Sequence, residues 1–242
     1  MITGLLYSAF AALFDMLGGA IVLGKQPPSR RALAILSGFG AGFMLAVALI
    51  GMMPEALGNE GSLAAILIGY MLVHLTQHTI TPHFHFGEET HAEAMVSRGI
   101  GVWALVGLVP HSFFDGVAIT SGFANGASLG TLVFVGILLH KIPTGVSLAS
   151  VMLASGNTRR QAFLAVSAIA VATVLGGIIT PLIGPLKAYG LPLAAGVTIY
   201  VAASNLIPES QHERNALVQT AVFVGALAYF LLKMLLPVAP GH

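Results

Sequence analysis

The chain has 242 residues, of which 56% are hydrophobic and only 8% charged, and its formal net charge is +1. That composition excludes an ordinary soluble globular domain, and so small a charge gives no ground for a nucleic-acid partner, so none is expected. Cysteine is absent, which excludes disulfides and thiolate metal sites and leaves His, Asp, Glu and Met as candidate ligands.

Apolar runs of about 20 residues, long enough to cross a hydrocarbon core as helix, recur along nearly the whole chain. Span one, about 4–24, lies in "MITGLLYSAFAALFDMLGG". It has neither a basic n-region nor a small-residue cleavage pattern, so it is read as a retained helix. Asp15 within it is read as a helix-packing hydrogen bonder in preference to a pathway carboxylate. Span two, about 32–53, ends in "AGFMLAVALIGMMPEA", where Met44, Met52 and Met53 are taken as apolar contacts before soft ligands. Span three, about 62–80, closes on "HLTQHT", with His74 and His78 at i and i+4. The longest connector follows, "TPHFHFGEETHAEAMVSRG", a His-rich loop at about 81–99 that contains His83, His85 and His91. Span four, about 100–122, contains "LVPHSFFDGVAI", and span five, about 128–153, contains "LLHKIPTG". Spans six, seven and eight are placed at about 162–183, 190–207 and 216–236. The fold class is therefore an all-α polytopic membrane protein with eight transmembrane helices in one domain, residues 1–242.

An even number of spans puts both termini on one side. Lys25, Arg30, Arg31, Arg98, Arg159, Arg160 and Arg214 fall in the connectors after spans one, three, five and seven, against only Lys187 and Lys233 opposite. The positive-inside rule places both termini outside and the His-rich loop in the cytoplasm. "AGFMLAVALIGMMPEA" and "AGVTIYVAASNLIPES" align, with Pro54-Glu55 matching Pro208-Glu209. Span two runs outward and span seven inward, so the repeat is inverted, as in many secondary transporters. Glu55 and Glu209 fall at helix ends, where solvated capping is the default and a place at the two vestibules the alternative.

A charge near the bilayer centre costs about 2.5–3.5 kcal/mol on insertion scales, so ionisable groups there face a cavity or one another. His111 and Asp115 share one helix face at i and i+4, as do His140 and Thr144. Two facing helices bearing matched His-x-x-x-(Asp/Thr)-Gly motifs can present imidazole, carboxylate and hydroxyl to a single point, a donor set suited to Zn²⁺ and related divalent ions. A lone intramembrane pair would read as helix glue; the matched pair favours a site. Pro110 and Pro143 free the carbonyls of Val106 and Leu139, so unwound helix is expected to expose further oxygen ligands. Gly116 and Gly145 permit close helix approach. Lys141, too deep to snorkel easily, is expected to pair internally, with Asp115 or in place of a second cation.

These residues resemble the Zrt/Irt-like (ZIP) metal transporters. "HSFFDG" and "HKIPTG" are similar to that family's fourth- and fifth-helix motifs, and the resemblance covers essentially the whole chain. It implies an inverted 3+2+3 helix arrangement, with His111, Asp115 and His140 as ligands at the transport site. Ser112 lies where many members carry a second-site asparagine, and Thr144 replaces a bridging glutamate. Lys141 resembles the lysine that some branches use in place of a second metal, and Gly51 and Asn205 stand where other members place ligands. A mononuclear site follows, with Ser112 and Thr144 counted among its metal-site residues and Lys141 as its charge partner.

The function expected is transport of a divalent cation, most readily zinc, into the cytoplasm across the plasma (inner) membrane. The metal is substrate, the bilayer is solvent, and no cofactor is expected. His74, His78, His83 and His85 are read as a cytoplasmic relay, against the alternative of a solvated polar loop. A rival reading is an intramembrane zinc hydrolase acting on lipid amides, which requires His74 and His78 to converge with His111, Asp115 and His140. A third is a sensor or scaffold that binds metal without flux. Gly18, Gly19, Gly176 and Gly177 permit close contacts within or between chains, so a homodimer is allowed.

Overall fold

Lipid leaves backbone polar groups no partner but one another, so apolar runs of this length fold as helix. A computed structural model of the chain describes residues 2–24, 29–58, 60–77, 98–211 and 216–236. Among them are α1 (Ile2–Leu23), α2 (Arg30–Ala46, continuing through Val47–Met52 and Met53–Ala56), α3 (Ser62–Leu75) and α4 (Arg98–Ala124). The remainder are α5 (Ala127–Ala154), α6 (Arg159–Ile179), α7 (Gly184–Tyr200, continuing through Val201–Leu206 and Ile207–Gln211) and α8 (Ala216–Leu235). Seven of these are long and apolar enough to cross a membrane; α3 is apolar but shorter, at 14 residues. The architecture is an all-α polytopic membrane fold.

Local chemistry sets several ends. Ser29 caps α2 by accepting from the Ala32 amide at 3.2 Å, and Thr158 and Gln161 form a reciprocal capping box on α6. The stretch "GPLKAYG", left between spans six and seven by their expected bounds, is helical: α7 starts at Gly184 because Pro185 supplies a first-turn residue that needs no amide donor.

The prolines behave differently from expectation. Helices α4 and α5 run without a break through Pro110 and Pro143, so the unwound segment expected there is absent and side chains, not freed loops, build the polar centre. The irregularity appears instead in α2 and α7, as π-helical turns at Val47–Met52 and Val201–Leu206. Each ends two residues before a proline, Pro54 and Pro208, and the wider turn relieves the clash of the proline ring with the preceding carbonyls. The two turns occupy matching positions of the Ala41 and Ala195 repeat, so the repeated sequence is also a repeated backbone.

Packing follows the same doubling. Helix α1 packs on α5 as α6 packs on α4, and α2 packs on α8 as α7 packs on α3; α1 also meets α6, and α4 meets α5. The α5 span is 72% buried and the α8 span 22%, which puts α5 at the centre and α8 at the lipid boundary. Outward faces carry Leu13, Leu67, Leu164 and Phe223, as a lipid-facing surface requires. Close crossings rest on glycine. A Cβ on Gly145 would strike the Asp15 carbonyl of α1, and one on Gly116 the Thr173 carbonyl of α6. Gly18, Gly19, Gly176 and Gly177 are likewise spent on neighbours within the chain, namely Ile142, Val166, Phe113 and Ser8.

Candidate metal centre

The two helix crossings at Gly116 and Gly145 fix the residues beside them. One turn before Gly116, α4 carries His111 and Asp115; one turn before Gly145, α5 carries His140, Lys141 and Thr144. All five of these residues and Ser112 are buried, His140 and Lys141 completely and His111 and Asp115 to within 3–4%. Ligand atoms of His111, Asp115 and His140 all lie within 4.8 Å of one another.

The Asp115 carboxylate is the hub. Its Oδ2 lies 3.6 Å from His111 Nε2 and 3.4 Å from His140 Nε2. Two ligands held at about 2.05 Å by a tetrahedral ion sit about 3.3 Å apart, so these separations already match those of a coordinated set. The His140 Nδ1–H donates to the Gly136 carbonyl at 3.3 Å, which leaves the Nε2 lone pair turned toward Asp115, as ligation requires. His111 Nδ1, His140 Nε2 and Ser112 Oγ are buried without a hydrogen-bond partner among the described residues. The Thr144 hydroxyl donates to the His140 carbonyl at 2.9 Å, so its proton is committed to the helix and its oxygen carries the remaining lone pairs.

Lys141 is paired internally, as its depth predicts. Its Nζ lies 3.0 Å from Asp115 Oδ2 and 2.8 Å from Asp15 Oδ2, and it donates to Thr173 Oγ1 at 2.7 Å. Asp15 is thus more than packing glue: it is fully buried and forms an ion pair with Lys141. Sequence reasoning did not anticipate Thr173, and for Asp15 it preferred helix packing to a pathway carboxylate. A signal was present, since "DMLGG" from Asp15 and "TVLGG" from Thr173 repeat the same pattern. Together with "HSFFDG" and "HKIPTG", it sets Asp15 opposite Thr173, His111 opposite His140, Ser112 opposite Lys141 and Asp115 opposite Thr144.

The pattern described as ZIP Zinc transporter matches residues 74–233, well over half of the chain. The chain belongs to the ZIP zinc transporter family. It is therefore an integral membrane protein of a transporter family, one that handles divalent metal, and not an enzyme. Among relatives, it is 28% identical over 218 residues to Zinc transporter ZupT of Enterobacter sp. (strain 638), covering 84% of this chain and 85% of that protein. It is 25% identical over 222 residues to Zinc transporter ZupT of Salmonella heidelberg (strain SL476), with 86% of each covered. Zinc transporter SLC39A7 of Homo sapiens is 30% identical over 150 residues, 57% of this chain, and the ZIP chain spans only 32% of that longer protein.

Other predicted site residues lie apart. His74, at the end of α3, is exposed, its ring 5.9 Å from that of Tyr200 on α7, and it does not join the metal-competent group. The hydrolase reading needed that convergence and is not supported. His78, His83 and His85 lie outside the described residues, as does His91. Gly51 and Asn205 are buried inside the two π-helical turns. A cavity of about 710 Å³ opens beyond the α4 end of the site, where Thr120, Ser121 and Asn125 face Glu55, Glu60 and Lys187. Thr120 is five residues past Asp115, about 7.5 Å along the helix.

Proposed function

We propose that the protein carries zinc, or a closely similar divalent cation, across the inner membrane into the cytoplasm through a single-ion site formed by His111, Asp115 and His140 between α4 and α5. The observation that carries this reading is the buried convergence of two imidazoles and one carboxylate on two adjacent membrane helices. Intramembrane ionisable groups are costly and persist where they serve a pathway. The names of the ZupT relatives point to the same substrate.

One ion, not two, is the reading favoured by Lys141, whose ammonium stands 3.0 Å from the shared carboxylate oxygen. Ser112 and Thr144 border the site, and a second ion there would meet that ammonium. The inverted 3+2+3 arrangement with both termini outside is supported by the paired π-helical turns, the reciprocal packing of α2 with α8 and α7 with α3, and the arginine and lysine bias. On that orientation the cavity beside Glu55 and Glu60 is the external entry. Alternating access then follows from movement of one helix group against the other about the site. On the same orientation His74, at the end of α3, faces the cytoplasmic side, and the His-rich sequence that follows it is read as a release relay.

Uptake of radiolabelled zinc into proteoliposomes tests the proposal, with Cd²⁺, Fe²⁺ and Mn²⁺ as competitors. His111→Ala and Asp115→Ala are expected to abolish saturable uptake; transport as fast as wild type in both would refute the site.

A further inference from the structure

The three donor positions of the Lys141 ammonium are all filled, by Asp15 Oδ2 at 2.8 Å, Asp115 Oδ2 at 3.0 Å and Thr173 Oγ1 at 2.7 Å. Lys141, Asp15 and Thr173 are each fully buried, so none of these contacts is replaced by water. Two of the three, Asp15 on α1 and Thr173 on α6, belong to no candidate ligand set. The third is the oxygen that both imidazoles face. A divalent ion bound by His111, Asp115 and His140 therefore competes with the ammonium for one atom. A cation left with nothing else would resist leaving, because an unpaired buried charge is strongly disfavoured.

We infer that Asp15 and Thr173 form a holding site for the Lys141 ammonium, to which it withdraws when the transported ion takes the Asp115 carboxylate. Asp15 is thus a positioning residue for metal binding. This rests on His111, Asp115 and His140 being the ligands. The formal charge of the cluster supports it. One lysine against two aspartates leaves one negative charge to receive a divalent ion, whereas without Asp15 the lysine and Asp115 cancel. The ammonium would then have one carboxylate partner, the one the metal needs. Thr173 contributes by accepting from Lys141 while passing its own proton to the Ile169 carbonyl at 3.2 Å, which keeps its lone pairs toward the lysine.

Calorimetric titration of the purified full chain with Zn²⁺ and Cd²⁺ in lipid nanodiscs tests this, alongside thermal unfolding of each variant. Asp15→Asn is expected to weaken affinity on the order of tenfold, since a nearby opposite charge is lost in a poorly screened site. Thr173→Val, which leaves every charge in place, should weaken it by a smaller factor in the same direction. The double variant D15N/K141M removes the lysine together with its holder and should return affinity to within a fewfold of wild type, and Asp15→Glu should restore most of it. A purely structural role for Asp15 would leave the double variant as impaired as the single one, and that result overturns the inference. Wild-type affinity in Asp15→Asn or, should that variant fail to fold, in Thr173→Val overturns it equally. His111→Ala separates the two levels. Retained binding there refutes the ligand assignment itself, whereas lost binding there with unaltered Asp15→Asn refutes the holding site alone.

Discussion

Gly116→Ala places one methyl group at the tightest crossing next to the metal centre. Built on the existing backbone, its Cβ runs into the Thr173 carbonyl oxygen and stands 2.7 Å from the Gly177 nitrogen and 3.0 Å from the Thr173 carbonyl carbon. Ordinary contact begins at 3.4 Å, so α4 and α6 must part by about 0.7 Å to clear the nitrogen, and further to clear the oxygen. Backbone cannot rotate aside as a flexible side chain can, so the displacement is carried by the helices. Asp115 immediately precedes Gly116, and Thr173 holds Lys141, so the substitution pulls the carboxylate away from the ammonium and from His140 on α5. A binding constellation tolerates about 0.5 Å, and a misplacement near 1 Å costs on the order of a hundredfold in function. Overpacking adds about 1–3 kcal/mol of destabilisation. Zinc uptake into proteoliposomes, normalised to folded protein and paired with thermal unfolding, reads both effects. Gly184→Ala, where an added Cβ meets nothing within 4 Å, is the control and is expected to behave as wild type. A Gly116→Ala protein with wild-type melting and uptake would refute the close-crossing argument.

Gly145→Ala strikes the Asp15 carbonyl at the matching crossing, so its loss of uptake should equal that of Gly116→Ala within a few-fold in the same assay. Ser112→Ala removes a buried hydroxyl that has no hydrogen-bond partner among the described residues; unfolding and zinc affinity are expected to change by less than about 0.5 kcal/mol, and a large loss of affinity would make Ser112 a ligand. Thr158→Ala deletes the side-chain half of the α6 capping box, the Thr158 Oγ1 that accepts from the Gln161 amide, and keeps the backbone amide that donates to Gln161 Oε1; it should cost about 1 kcal/mol of stability with uptake intact, read by thermal unfolding. Lys141→Ala strands Asp15 and Asp115 as buried carboxylates and should lower stability by about 3–5 kcal/mol, measured by denaturation in detergent.

Much of the candidate site was legible because its chemistry is written within single helices. His111 with Asp115 and His140 with Thr144 are i and i+4 pairs, and each motif closes on the glycine that makes the crossing, so residue type, face and depth can all be read locally. Asp15 was visible as a costly charge in an apolar run, but its partner was not. The lysine it serves lies on α5, and nothing in the sequence between them states that α1 and α5 meet at Gly18 and Gly145. Proline misled for a related reason. Pro110 and Pro143 looked like sites of unwinding because the lost amide is a local fact, yet both sit in continuous helix, while the π-helical turns formed before Pro54 and Pro208.

The sequence by itself determined that the solvent is lipid, that helix is the only available secondary structure, and that two imidazoles and a carboxylate fall near the middle of two apolar spans. Those properties depend on residue type and on a 3.6-residue period, which the chain carries locally. Only the tertiary structure decided that one carboxylate oxygen is shared between two histidines and a lysine, and that a second aspartate and a threonine hold the far side of that lysine. Such distances are set where helices cross, and crossings are fixed by which backbone each glycine lets in.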